Sequence, residues 1–193
     1  MKPGIFLIIA LAFIACKKDP PKSEMPDEVD VFRTHQPCDT VTGRADAVID
    51  TLMWSGGGFL RSFFIGADKF WYLQFYTCDK FGNQRGFLTF KGIPDSNRFQ
   101  TFKIKENGPI DSLKAGDLYS SFMTICPDGS PETLYIVDET IVESFFTIDQ
   151  WDEQSKRVEG RFSASFKITP FFKFNGPYKL LFKSGRFWAK IPD

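Results

Sequence analysis

Asp149, Asp152 and Glu153 form the closest carboxylate group in the sequence that invites a chemical reading. Two carboxylates facing one cleft can act as acid and base, or as acid and nucleophile, in glycoside hydrolysis. Here Asp149 precedes, and Asp152 and Glu153 open, the polar stretch Asp152-Glu153-Gln154-Ser155-Lys156, which reads as a hairpin loop. Solvated acids are ordinary in such loops, so a carboxylate-dependent hydrolase is the most remote function considered. Asp152 is instead expected to shape the turn by accepting hydrogen bonds from nearby backbone amides. Any Ser-His-Asp or Cys-His arrangement would have to use the single histidine, His35, which lies near the end of a proline-rich polar tether. One histidine and the absence of a Cys-x-x-Cys pair leave no familiar zinc pattern. Gly56-Gly57-Gly58 lacks the offset residues and following helix of a phosphate-binding loop, and reads as a flexible loop. No catalytic, metal-binding or cofactor-binding residue is assigned, and the expectation is a protein that is not an enzyme.

The remaining candidates are binders and staples. Trp54, Trp71, Trp151 and Trp188 are the candidate ligand contacts, because exposed aromatic faces stack on sugars. Beyond Cys16, the cysteines Cys38, Cys78 and Cys126 allow one disulfide within a domain. Cys78 and Cys126 both end expected strands and are the favoured pair, with Cys38–Cys78 and Cys38–Cys126 as the alternatives.

The elements that must hold these residues are strands. Arg157 to Thr169 alternates strictly, with Val158, Gly160, Phe162, Ala164, Phe166 and Ile168 on one face and polar residues on the other. Glu143–Trp151 pairs with it as an antiparallel hairpin. Lys69–Tyr76 is aromatic on both faces and is expected to be a central strand covered on both sides. Phe59–Phe64, Gly86–Ile93, Arg98–Lys105, Leu118–Cys126, Glu132–Val137, Tyr178–Lys183 and Gly185–Ile191 complete the set. Glycine, proline and asparagine clusters separate most of them. The fold class is all-β, an antiparallel β-barrel or β-sandwich of about 8–10 strands. Closure into a barrel is preferred because it removes exposed edges.

Composition narrows the partners. The chain has 193 residues, with 24 basic and 24 acidic side chains and 23 phenylalanines. Neutral charge gives no general drive towards nucleic acid. The phenylalanines favour half-buried strand positions.

The first residues carry the address. Ile5–Ala15 is an unbroken apolar run of 11 residues behind Lys2. That is too short to span a bilayer, which takes about 20 residues, and fits the core of a secretory signal. Phe13-Ile14-Ala15-Cys16 resembles the lipoprotein processing site, where the leader is cut before a cysteine whose thiol receives a diacylglycerol. Phe13 stands where leucine is usual. Cleavage near Ala15 for plain secretion is the alternative. The domain reading is a signal peptide over 1–15, a flexible tether over 16–37 and one all-β domain over 38–193. The tether is rich in proline and charge and reaches at most about 70 Å.

Further motifs resemble one bacterial group. Ser144-Phe145-Phe146-Thr147-Ile148-Asp149-Gln150-Trp151-Asp152 followed by Lys156-Arg157-Val158-Glu159-Gly160-Arg161-Phe162-Ser163 resembles a recurring hairpin of small all-β lipoproteins of the Bacteroidota. Ser184-Gly185-Arg186-Phe187 resembles their closing strand. Lys17-Lys18-Asp19 resembles the signal for export to their outer face, although a single acid follows the lysines. The resemblance implies an outer-membrane lipoprotein on the periplasmic or cell-surface face, and it brings no substrate. Asp39-Thr40-Val41, Asp50-Thr51-Leu52 and Asp111-Ser112-Leu113 resemble the O-glycosylation sequon of that group, making Thr40, Thr51 and Ser112 candidate acceptors. The expected function is a membrane-anchored, non-enzymatic module binding a glycan or an apolar small molecule. A structural or interaction subunit of an envelope protein complex is the alternative.

Overall fold

The computed structural model describes residues 36–38, 42–106, 108, 116–126, 128–140, 144–169 and 177–193. Cys16, His35, Thr40 and Ser112 lie outside them, as do the leader and all of the tether before Gln36. Among the described residues every regular element is a strand: β1 (Gln36–Pro37), β2 (Gly43–Ile49), β3 (Leu52–Ile65), β4 (Asp68–Cys78), β5 (Gln84–Pro94), β6 (Thr101–Glu106), β7 (Asp117–Ile125), β8 (Pro131–Val137), β9 (Phe145–Asp152), β10 (Arg157–Ile168) and β11 (Lys179–Lys190).

These strands close on themselves. From β10 the ladder runs through β11, β2, β3, β4 and β5 to β7, each neighbour antiparallel. The gap between β7 and β10 is filled twice. At the β1 end of the barrel, β8 pairs with β7 through Ser121–Ile125 and with β10 through Phe166–Ile168. At the other end, β9 lies on β10 through Arg157–Ser163, β6 lies on β9, and β6 runs parallel to β7. The ring therefore counts nine strands through β9 and β6, with β8 wedged into the opposite end. The β6–β7 pairing makes it a mixed barrel rather than a wholly antiparallel one. Closure follows from the alternating pattern, because a wrapped sheet buries one face and leaves no long edge to aggregate.

The interior is packed with rings. Phe182 lies 5.3 Å from Trp54, 5.3 Å from Phe122 and 5.6 Å from Phe166, centroid to centroid. Phe146 stacks on Phe187 at 5.0 Å and touches Phe90 at 4.8 Å. Such offset and edge-on pairs add roughly 0.5–1.5 kcal/mol each beyond the area they bury. The alternating residues of β10, Val158, Gly160, Phe162, Ala164 and Phe166, are buried as their period-two pattern requires.

Glycines make room for these rings. Gly160 faces Phe187 and Phe162 faces Gly185 across the β10–β11 ladder. A Cβ on Gly160 would meet the Phe187 ring at 2.6 Å, and one on Gly185 would meet the Phe162 ring at 2.6 Å. Each strand's Gly-x-Phe thus fits into the other's, which gives the two resembling motifs a shared packing role. Gly56-Gly57-Gly58 is not a flexible loop. It lies inside β3, where a Cβ on Gly58 would meet the Phe75 ring at 2.3 Å. The expected break at Ser184-Gly185 is also absent. β11 continues through it with a register irregularity, and Ser184 takes a left-handed φ of 52°.

Candidate functional site

The outer face of β3, β4 and β5 carries an aromatic grid. Register places Arg61 beside Tyr72 and Tyr72 beside Lys91. The next row is Phe59, Gln74 and Thr89, and the one after is Gly57, Tyr76 and Phe87. Phe63 and Phe70 stack at 5.8 Å beyond the Arg61 row. Phe59 lies 6.1 Å from Tyr72 and 5.7 Å from Tyr76, and Tyr76 lies 6.0 Å from Phe87. All these rings are half-buried, while the alternate residues Trp71, Leu73 and Phe75 point into the core. The aromatic content of β4 on both faces therefore does not place it under two covering layers. One side fills the barrel and the other is partly open to solvent.

A glutamine organises the grid. Gln74 is only 7% exposed and accepts hydrogen bonds from the Tyr72 hydroxyl and from the Tyr76 hydroxyl, the latter at 2.6 Å. Its amide nitrogen donates to Thr89 Oγ1 at 3.4 Å. Both hydroxyls are satisfied inward, which fixes the two rings as a platform. Burial pushes both tyrosine pKa values up, so the hydroxyls keep their protons in neutral solution. The Arg61 guanidinium lies over the Phe59 ring, 4.6 Å from its centroid. Phe59, Arg61, Tyr72, Gln74, Tyr76, Phe87 and Lys91 were not among the residues that sequence reasoning selected. The signal that pointed to them was the aromatic pattern of β4 at both parities.

The tryptophans are placed differently from expectation. Trp54, Trp71 and Trp151 are buried core residues and cannot offer a face to a ligand. Trp71 and Trp151 meet edge-on at 5.0 Å and close the end of the barrel opposite β1. Trp71 Nε1 donates to Asp95 at 2.7 Å, Lys69 covers the Trp71 ring and Arg98 covers Trp151. Beside this plug lies an open cleft of about 520 Å³ lined by Asp68, Lys69, Pro94, Asn97, Gln100 and Asp117 among others. Trp188 alone of the four is half-exposed, and the Arg157 guanidinium lies 4.5 Å from its ring centroid.

The carboxylates have separate employment. Asp149 holds Arg161 by two hydrogen bonds of 2.8 Å, and Glu153 accepts from Arg98 at 3.0 Å. Asp152 accepts from the backbone amides of Gln154 and Ser155 and from the Ser155 hydroxyl, which is the turn-shaping role expected of it. The Ser155 contact is the largest influence holding its carboxyl below the usual range. The disulfide also differs from the favoured pair. Cys78 is bonded to Cys38, not to Cys126, because β1 lies against the last residues of β4 and brings the two Cα atoms to 5.1 Å. Cys126 is buried at the end of β7. Thr51 is exposed in the two-residue turn between β2 and β3.

No protein-family model, curated protein or solved structure matches this chain.

Proposed function

We propose that this chain is an exported, non-enzymatic module that binds a glycan on the outer face of β3–β5, held to the outer membrane by lipid on Cys16. The observation that carries the reading is the platform of Phe59, Tyr72, Tyr76 and Phe87 around the buried Gln74. Aromatic rings fixed side by side offer flat apolar surface to the C–H faces of sugar rings through many small dispersion contacts. Pre-organised rings also lose little side-chain freedom on binding. The interior supports an external site, since Phe75, Phe90, Phe122, Phe146, Phe162 and Phe182 fill it. The leader supports export, and the tether gives the domain room to present that face.

The test is a glycan array probed with the chain from residue 16, carrying Cys16→Ser. Binding that weakens about tenfold in Tyr76→Ala, one lost ring contact of roughly 1–3 kcal/mol by analogy with base stacking, supports the reading. An array with no bound glycan, repeated for material extracted from the cell envelope, overturns it.

A second reading rests on a separate observation. Met53, Phe81 and Tyr178 are 72%, 76% and 81% exposed, and all three lie at the β1 end. Exposed apolar groups on one end of a barrel suit a protein partner, here an envelope subunit. Crosslinking in intact cells distinguishes it by returning one partner through Phe81 and none through Tyr76.

A further inference from the structure

We infer that the β3–β5 face takes an acidic polysaccharide, whose anionic groups reach Arg61 and Lys91 while its sugar rings lie on the aromatic platform between and beside them. This rests on the glycan-binding reading above and specifies its ligand class.

The argument is one of charge complementarity. β3 (Leu52–Ile65) and β5 (Gln84–Pro94) contain no aspartate or glutamate, and the one acid of β4, Asp68, stands at its first residue opposite Ile65. Of the other six arginines among the described residues, Arg44, Arg85, Arg98, Arg157 and Arg161 each hold a carboxylate, and Arg186 on β11 holds none. Among the described residues Arg61 and Lys91 have no ion pair. Arg61 is exposed and rests on Phe59 instead. A cation with no internal partner, on a face of fixed rings, is available to an anion from outside.

The spacing selects among anionic polymers. Arg61 and Lys91 sit on strands two apart, with Tyr72 between them, so their backbones are roughly 10 Å apart. A nucleic acid carries a charge about every 3.4 Å per strand and is met by clusters of cations. Two cations that far apart fit a sparsely charged chain, in which rings needing stacking separate the charges. An anionic bilayer would leave the row of Gln74 and Thr89 unused, whereas a saccharide has hydroxyls to meet Thr89.

The experiment titrates the chain from residue 16, carrying Cys16→Ser, with polygalacturonate, hyaluronan and chondroitin sulfate, and with fully methyl-esterified polygalacturonate as the uncharged twin. Oligo-deoxythymidine and phosphatidylglycerol vesicles are the other arms. The expected result is binding to at least one acidic glycan, weakened about tenfold by Arg61→Gln with Lys91→Gln and by moderate salt. If polygalacturonate is that glycan, its methyl ester binds correspondingly less. Tyr76→Ala weakens charged and uncharged glycans alike. Both cations are outward-facing, and an unchanged thermal midpoint verifies that the double variant folds. Binding to the ester and the free acid equally, with sensitivity to Tyr76→Ala alone, overturns the acidic assignment and leaves the glycan reading standing. Tighter binding to oligo-deoxythymidine or vesicles than to every glycan overturns both readings. Failure to bind all three acidic glycans overturns the inference, and the wider array then decides the parent reading separately.

Discussion

At Gly160 the chain permits one residue type. A Cβ there would meet the Thr147 carbonyl oxygen at 2.1 Å as well as the Phe187 ring. Neither neighbour is the end of a flexible side chain, so alanine must push a ladder apart. Overpacking of this kind costs about 1–3 kcal/mol, and Gly160→Ala should lower the urea midpoint accordingly, as should Gly58→Ala beneath Phe75. A midpoint unchanged in both would refute the close-packing account. The opposite change is more severe at Phe182, which touches Trp54, Phe122, Phe162 and Phe166. Phe182→Ala empties the centre of that ring cluster and should cost about 3–5 kcal/mol, measured by the same denaturation. Phe81, exposed at a hairpin tip, is the control: Phe81→Ser should leave stability within about 0.5 kcal/mol of the parent. The glycines show how a sequence misleads at this scale. Three in a row suggest a loop when read by composition, yet their cause is the Phe75 ring across the ladder, which no local window contains.

At the scale of elements, most strands were legible, but apart from the β9–β10 hairpin their partners were not. β9 and β10 follow from a period of two and a polar turn, and Asp152 holds that turn through the Gln154 and Ser155 amides. β11 was expected as two strands because Ser184-Gly185 carries turn chemistry. Pairing to β2 and β10 on both sides carries the strand through an irregularity there. The disulfide went the same way. Strand ends suggested Cys78 with Cys126, while the short β1, too brief for any pattern, delivers Cys38. That bond spans 40 residues, so its chain-entropy contribution is about 4 kcal/mol. Cys38→Ser should therefore lower stability by up to that amount, read as a shift of the denaturation midpoint. Asp138, which follows β8, makes a second tie. Hydrogen bonds from Thr140 and then from Lys179 hold its carboxyl down, to about 2. A depressed acid adds stability that is complete above its ordinary value near 4 and disappears as pH falls through its folded value. Stability should thus fall between about pH 4 and pH 2, and Asp138→Asn should flatten that part of the profile. A variant with the parent's acid limb would show that other carboxylates set it.

At the scale of the molecule, closure joins strands that are far apart in the sequence. β2, the second strand, pairs with β11, the last, so the ring is complete only when residues near 190 have reached residues near 43. The location of the candidate site depends on this. Its rings were visible in the sequence, but their division between core and surface was set by which face of the sheet the barrel turned inward. Trp54, Trp71 and Trp151, candidate ligand contacts by residue type, turn inward, while Tyr72 and Tyr76, on a strand whose pattern suggests cover on both faces, turn outward. Period-two alternation says that two faces differ and is silent on which one is wet when both are aromatic. Closure also makes a prediction about cooperativity. Removing residues 179–193 takes away β11, exposes the edges of β2 and β10 and opens the ring-lined core to water through Phe182 and Phe187. A sandwich losing an edge strand would keep most of its core. A barrel losing a seam between its first and last strands keeps no closed core, so the truncated chain should lose the sharp two-state transition and the near-ultraviolet signal of its buried tryptophans while retaining some strand content. Adding back a peptide of residues 177–193 should restore both signals only if it pairs with β2 and β10 together, as one strand facing both edges. A truncated chain that melts as sharply as the parent would mean that the β2–β11 seam does not hold the fold.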